Sequence, residues 1–205
     1  MAEVGAIVLA AGRSSRYRAA GGPEASKLIA SLGGKALARR AVEAALRSAA
    51  RPVVVVTGHA RAEVEAALAG LPVVFARNDD FAAGFASSLR VGLAALPSGV
   101  AGALVLLADM PGVEASLIDR LIVAFAAEPA ALAVVPMRGG RRGNPALLAR
   151  ALFPALARLE GDAGARRLLD QLDRDSIVAV EVEDEGATFD VDTPADLALA
   201  RNLLS

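Results

Sequence analysis

The sequence contains no cysteine and no tryptophan, and only one tyrosine and one histidine in 205 residues. Without cysteine there is no disulfide, no thiolate metal site and no thiol nucleophile. Long apolar runs are also missing. None approaches the length of a membrane span, and the first one lacks a charged leader and runs straight into a glycine loop. A cytoplasmic protein with no membrane partner is expected. Net charge is scarce as well, at −1, which argues against a nucleic-acid partner. What is present is ordinary for a globular chain: 55% hydrophobic and 22% charged residues, rich in alanine, with 3% aromatics. The length suits one α/β domain over residues 1–205 and is too short for two full-sized ones.

The charges are unevenly placed. Residues 1–51 carry a net +6 and residues 151–205 a net −7. This is either solvated surface or an anion site in the N-terminal part.

Apolar runs alternate with helical patterns. "GAIVLAA", "PVVVVT", "GALVLLAD", "ALAVVP" and, more weakly, "LPVVF" read as buried strands, while "KALARRAVEAALRSA" and "EASLIDRLIVAFAA" read as amphipathic helices. This rhythm predicts an α/β fold: a Rossmann-like, open, mostly parallel twisted sheet with helices on both faces. The rhythm breaks at "RRGNPALLARALF", "GDAGARRLLDQL" and "SIVAVEVED", which predict a small inserted mixed subregion. The last helix is expected to start at "TPADL", with Thr193 as its N-cap and Pro194 as its first residue.

Ligands of open α/β sheets bind beyond the carboxyl ends of the strands. The loop after the first strand, "AAGRSSRYRAAGGPEASK", lies there. Ala10 and Ala11 leave room for a flat base, and Gly12 lets backbone approach a ligand. Arg13, Arg16 and Arg18 are bidentate donors suited to phosphate oxygens, and Lys27 is a compact charge. A solvent-facing loop with incidental arginines is the plain alternative. Neither G-x-G-x-x-G nor the P-loop pattern is present, which disfavours an NAD(P)-linked reductase.

"LAAGRSSR" followed by a lysine resembles the signature loop of nucleotidyltransferases that move a nucleoside monophosphate from an NTP to a phosphorylated acceptor. "VVTGH", "NDDFAAGFASSLRVGL", "LLADMPG", "RGNPALL", "GDAGARRLL" and "DVDTPADL" follow in the order seen in the molybdenum-cofactor cytidylyltransferase branch of the MobA-like superfamily. The chain departs from that branch in two places. Tyr17, Arg18 and a longer "AAGGPEA" replace the usual glycine and short spacer, and Asn144 stands where histidine usually precedes proline.

The resemblance implies a nucleotide-diphospho-sugar transferase-like fold and Mg²⁺-dependent transfer, with CTP favoured as donor over GTP and a molybdopterin-type acceptor. A molybdoenzyme or its chaperone is a further partner. A nucleotide-binding accessory protein without turnover is the alternative. Under the first reading Arg13 and Arg16 hold the β- and γ-phosphates, and Lys27 faces the α-phosphoryl group. Asp109 and Asp192 hold the metal, with Asp190 as second choice for Asp192. From spacing alone, Asp109 before Pro111 and Asp192 before the last helix could equally be turn residues. Asn78, Gly84 and Ser88 could approach the nucleotide, although helix capping explains Ser87 and Ser88 as well. Asn144 and Arg166 are candidates for binding the acceptor, and a salt bridge to Asp162 is the bland alternative for Arg166. Phe81 and Phe85 read as packing residues, and His59 as a turn or capping residue.

Overall fold

Strand β1 (Val4–Ala10) is buried along almost its whole length because its two faces serve two different cores. Val4, Ala6, Val8 and Ala10 join Val53 and Val55 on one side, while Ile7 joins Val54 and Val56 on the other. Alternate residues of a strand point to opposite faces, so burial on both sides produces the continuous apolar runs of the sequence. The computed structural model describes residues 3–161, 164–183 and 185–203 and, for residues 164–166, the backbone alone.

In chain order the remaining elements are α1 (Ser15–Ala19), β2 (Ser31–Leu32), β3 (Lys35–Ala36), α2 (Leu37–Arg47), β4 (Val53–Thr57), α3 (Arg61–Ala67), β5 (Val74–Arg77), α4 (Phe85–Ala95), β6 (Gly102–Leu107), α5 (Ala115–Ala127), β7 (Ala133–Arg138), β8 (Arg141–Arg142), β9 (Ala146–Ala149), α6 (Phe153–Leu156), α7 (Gly164–Leu169), β10 (Ile177–Glu181) and α8 (Pro194–Leu203). The main sheet runs β10-β7-β9-β6-β1-β4-β5, with β8 against β7. Strands β6, β1, β4 and β5 are mutually parallel, and β10 is parallel to β7. Buried side chains from α2, α3 and α5 cover one face, and those from α4 and α6 cover the other. Helix α4 rests on β1 at Gly92, where any added methyl would strike Ile7.

One boundary moves: the weaker strand predicted at "LPVVF" starts three residues later, as the edge strand β5. The stretch predicted as a small mixed subregion holds strands and helices as expected, and its strands extend the main sheet, with β9 between β6 and β7 and antiparallel to both. Among the described residues no helix is long and apolar enough to cross a membrane.

After β1 the chain builds β4 and β5 on one side, then returns to lay β6 on the other side of β1. The sheet therefore has a topological switch point between β1 and β6, where open α/β sheets bind ligands. The glycine-arginine loop leaves β1 there, and Asp109 follows β6 on the adjacent turn.

Candidate active site

The loop after β1 is a folded unit. Ser14 holds a left-handed backbone, at φ 52°. Its hydroxyl lies 3.0 Å from the Ser26 hydroxyl and accepts the Lys27 backbone N–H at 3.1 Å. Ser26 in turn caps the following turn by accepting from Leu28 N at 3.3 Å. Between these ends, Tyr17 is buried, donates to Glu24 at 2.6 Å and packs in a satellite core with Leu32, Leu37, Val191 and Leu197. Gly22 has no room for a side chain against the Tyr17 ring. The long spacer is thus folded back on itself, and Lys27 still reaches the switch point.

The acidic residues come from two distant turns. Val191 donates its backbone N–H to the carbonyl of Asp109 at 3.0 Å. Thr193 caps α8 as expected: its hydroxyl accepts from Asp196 N at 3.2 Å, while Asp196 accepts the backbone N–H groups of Thr193 and Asp192 at 2.7 and 3.1 Å. This reciprocal cap fixes Asp192 just before the helix.

Lys27 lies between the two turns. Its ammonium is 2.7 Å from Asp109 Oδ2 and 2.6 Å from Asp192 Oδ1, and Arg16 pairs with the other oxygen of Asp192. Burial alone would pull the Lys27 ammonium down, but the carboxylates of Asp109 and Asp192 outweigh it and hold it above its ordinary value. For Asp192, desolvation pushes up, and Lys27 and Arg16 together bring it below the usual carboxylate range.

Asp109, Asp190 and Asp192 each offer an oxygen within 4.8 Å of the others. Asp190 therefore belongs with the group rather than as a substitute for Asp192. Its carboxyl is raised, first by desolvation and then by the charges of Asp109 and Asp192. Asp109 Oδ1 is buried with no hydrogen-bond partner. A buried lone carboxylate oxygen inside a cluster of hard oxygen donors suits a divalent cation.

The other predicted residues divide. Ala10 and Ala11 are buried, so a ligand at the strand end meets their backbone, with the Ala11 methyl packed behind it against Gly58. Gly12 faces open space, and an added methyl would meet nothing within 4 Å. Arg13 and Arg18 are exposed and make no ion pair among the described residues. Asn78 and Ser88 are buried where the turn before α4 meets the helix. The Asn78 amide donates to the hydroxyls of Ser87 and Ser88, both at 2.9 Å, and its oxygen accepts from Asp80 N at 3.0 Å. That side chain is occupied in holding the turn before α4. Gly84, at φ 100°, supplies the bend of that turn.

The sequence did not single out Gly58. A methyl there would lie 2.8 Å from the Ala11 Cβ, 2.9 Å from the Phe81 Cβ and 3.1 Å from the Asn78 carbonyl, so these three segments close together only over a glycine. Over β6, β9 and β7 is a cavity of about 960 Å³. Asn144 lines it together with Phe85, Leu107, Arg141, Arg142 and Arg174. Asp162 and the Arg166 side chain lie outside the described residues.

A match to the MobA-like NTP transferase domain runs from residue 6 to residue 176. The chain belongs to the MobA-like NTP transferase family. The Rv0371c homologue of Mycobacterium sp. strain JC1 is 29% identical, with 98% of each chain covered and a TM-score of 0.84. The manganese complex of Rv0371c from Mycobacterium tuberculosis H37Rv is 26% identical, with 98% of each chain covered and a TM-score of 0.81. The purine catabolism protein PucB of Bacillus subtilis strain 168 is 33% identical over 107 residues, 52% of this chain and 50% of PucB. The chain thus spans about half of that curated relative. It spans 34% of the bifunctional protein GlmU of Anaeromyxobacter sp. strain Fw109-5, to which it is 33% identical over 172 residues, 82% of its own length. Membership of the MobA-like family places the chain among nucleotidyltransferases and agrees with the sheet order and the loop after β1.

Proposed function

We propose that the protein transfers a nucleotidyl group, CMP from CTP in the favoured case, to a phosphorylated pterin-type acceptor such as molybdopterin. A phosphate oxygen of the acceptor forms a bond to the α-phosphorus of the NTP, the bond between that phosphorus and the α–β bridging oxygen breaks, and pyrophosphate leaves. The entering and leaving oxygens both carry negative charge, so positioning and charge neutralisation are what the protein must supply.

The observation that carries this reading is the meeting of Lys27, Asp109 and Asp192 at the switch point. Arg16 and the unpaired Arg13 would hold the β- and γ-phosphates, and Lys27 would turn from its carboxylates to the α-phosphoryl oxygens. Asp109, Asp190 and Asp192 would hold Mg²⁺, which supplies charge neutralisation and alignment of the phosphate oxygens. A relative solved with manganese supports a divalent ion in this family.

The acceptor reading is supported by the cavity beside β6 and β7. Its floor is apolar, with Val105, Leu107, Val135 and Met137, and Arg141 and Arg174 are on its lining. An apolar floor with guanidinium groups on the lining suits a flat ring body that carries an anionic group. The CTP preference rests on Ala11, which closes the strand end against Gly58.

The test is pyrophosphate release with each NTP, Mg²⁺ and molybdopterin. Release with CTP and molybdopterin is expected. If no pairing of NTP and acceptor releases pyrophosphate, nucleotidyl transfer is refuted and a nucleotide-binding accessory role takes its place.

A further inference from the structure

Among the described residues, two that are not glycine hold a left-handed backbone: Ser14, at φ 52°, and Ala60, at φ 51°. Such strain persists where the surroundings over-determine it, and it marks a neighbour that has to be aimed. At Ser14 the result is the bond to Lys27 N. At Ala60 it is the placement of His59. Strand β4 ends at Thr57, and α3 begins at Arg61, so the chain reverses within three residues. His59 donates its backbone N–H to the Ala11 carbonyl at 3.3 Å. Its Nε2 lies 3.2 Å from the Ala25 carbonyl, and its ring is tilted against Phe81 with centroids 5.9 Å apart. A carbonyl can only accept, so Nε2 carries the proton in this contact.

One residue therefore joins the β1 strand end, the turn before α4 and the long spacer. Ala25 stands two residues before Lys27, and α3, which follows His59, packs against the 27–29 turn.

We infer that His59 is a positioning residue: it ties the spacer to the end of β1 and so fixes the approach of Lys27 to the transfer centre. This rests on the nucleotidyl-transfer reading, because the consequence concerns where Lys27 meets a phosphate. Ser14 and Ser26 anchor the Lys27 amide and the Tyr17–Glu24 bond holds the middle of the spacer, while His59 holds the Ala25 carbonyl between them. Small displacements of a charged group at a transfer centre are costly in rate.

The test compares His59→Ala, His59→Phe and His59→Gln. Glutamine keeps an N–H donor at a similar reach, while phenylalanine keeps the ring against Phe81 and loses the donor. Without any nucleotide, hydrogen exchange across residues 20–28 should be roughly 3- to 10-fold faster in the Ala and Phe variants and parental in Gln. Parental exchange in the Phe variant would overturn the tie. With nucleotide, the Ala and Phe variants should lose about tenfold in kcat while KM for the NTP changes less than about twofold, and Gln should retain the parental kcat. A Phe variant with parental kcat would overturn the link to Lys27. If the parent itself releases no pyrophosphate from any NTP, the nucleotidyl-transfer reading and this link to Lys27 are both overturned, and exchange alone decides the tie between His59 and the spacer.

Discussion

The Val191 N–H donates to the Asp109 carbonyl at 3.0 Å, joining the two turns that carry the acidic cluster. Val191 also packs on Tyr17 from the loop after β1. Three segments far apart in sequence thus converge on one point, and Lys27 is the charge they share.

Lys27→Met should lower turnover by about 10²- to 10³-fold, the size expected for a preorganised charge at a developing anion. It should also cost stability, because Asp109 and Asp192 lose a largely buried counter-charge; about 1–3 kcal/mol is reasonable for carboxylates that keep some water contact. The pH dependence has a definite sign. The raised Lys27 value gives stability that is full below about pH 10.4 and lost as pH rises through its folded value. The lowered Asp192 value gives stability that is present above about pH 3.9 and lost as pH falls. Urea unfolding across pH should show both limbs flattened in the variant. Near-normal turnover would remove Lys27 from the transfer step.

Asp190→Asn should act in the opposite direction on stability. A carboxyl whose folded value is raised contributes below its ordinary value, and its ionised form is unfavourable at pH 7. The amide removes that charge, so with EDTA present Tm should rise by about 1–3 °C. Mn²⁺ affinity, read by calorimetry, should fall. A lower Tm in EDTA would show that the charge repulsion is not felt.

Asp109→Asn keeps the turn, because the bond from Val191 uses the Asp109 backbone carbonyl. It removes the one cluster residue with a buried unpartnered oxygen. The rate should lose its dependence on Mg²⁺ together with most of its magnitude, on the order of 10²-fold or more. An unchanged Mg²⁺ dependence would leave Asp109 with a purely structural role.

The parts of this architecture legible in the sequence were those with a period or a motif. Continuous apolar runs announced β1, β4 and β6, and the motifs pointed to Arg16, Lys27, Asp109 and Asp192, which lie together in the fold. The direction of β9 was not legible, because "ALLA" is equally apolar read either way and only its neighbours set its sense. Ser14 and Ala60 were invisible since neither residue type prefers a left-handed backbone. Asn78 and Ser88 were visible as polar groups on the turn before α4 and the start of that helix. That they satisfy one another depends on a turn nine and ten residues long, whose closure the sequence does not state.

Tyr17 gives a direct optical test of the spacer. It is the single tyrosine in a chain without tryptophan, so the absorbance of tyrosinate near 295 nm reports this residue alone. Desolvation, followed by the hydrogen bond and charge of Glu24, pushes its phenol up to about 12. In the folded protein it should therefore ionise near pH 12, and in urea near pH 10. Stability from this group is full below about pH 10 and lost as pH rises towards 12. Tyr17→Phe should remove that alkaline loss. Ionisation near pH 10 in the folded state would mean that the spacer leaves Tyr17 open to water.

The last expectation concerns base choice. The Ala11 methyl is buried and faces Gly58, where any side chain would start 2.8 Å from it. Ala11→Gly opens this wall by one methyl, and Gly58→Ala closes it further against Ala11, Phe81 and Asn78. Guanine needs more depth than cytosine. Ala11→Gly should therefore lower the CTP/GTP ratio of kcat/KM, and Gly58→Ala should raise KM for every nucleotide, more steeply for GTP. One methyl in a pocket discriminates by about 1–3 kcal/mol, so the shift in ratio should stay within roughly 10- to 200-fold. The two sites touch, so their effects should not add. The double variant should recover part of the KM lost in Gly58→Ala, since one of the three close contacts is gone. Its recovery stays partial because Phe81 and the Asn78 carbonyl remain. Strict additivity in the double variant, or an unchanged ratio in Ala11→Gly, would place the base elsewhere and leave the CTP preference without physical support.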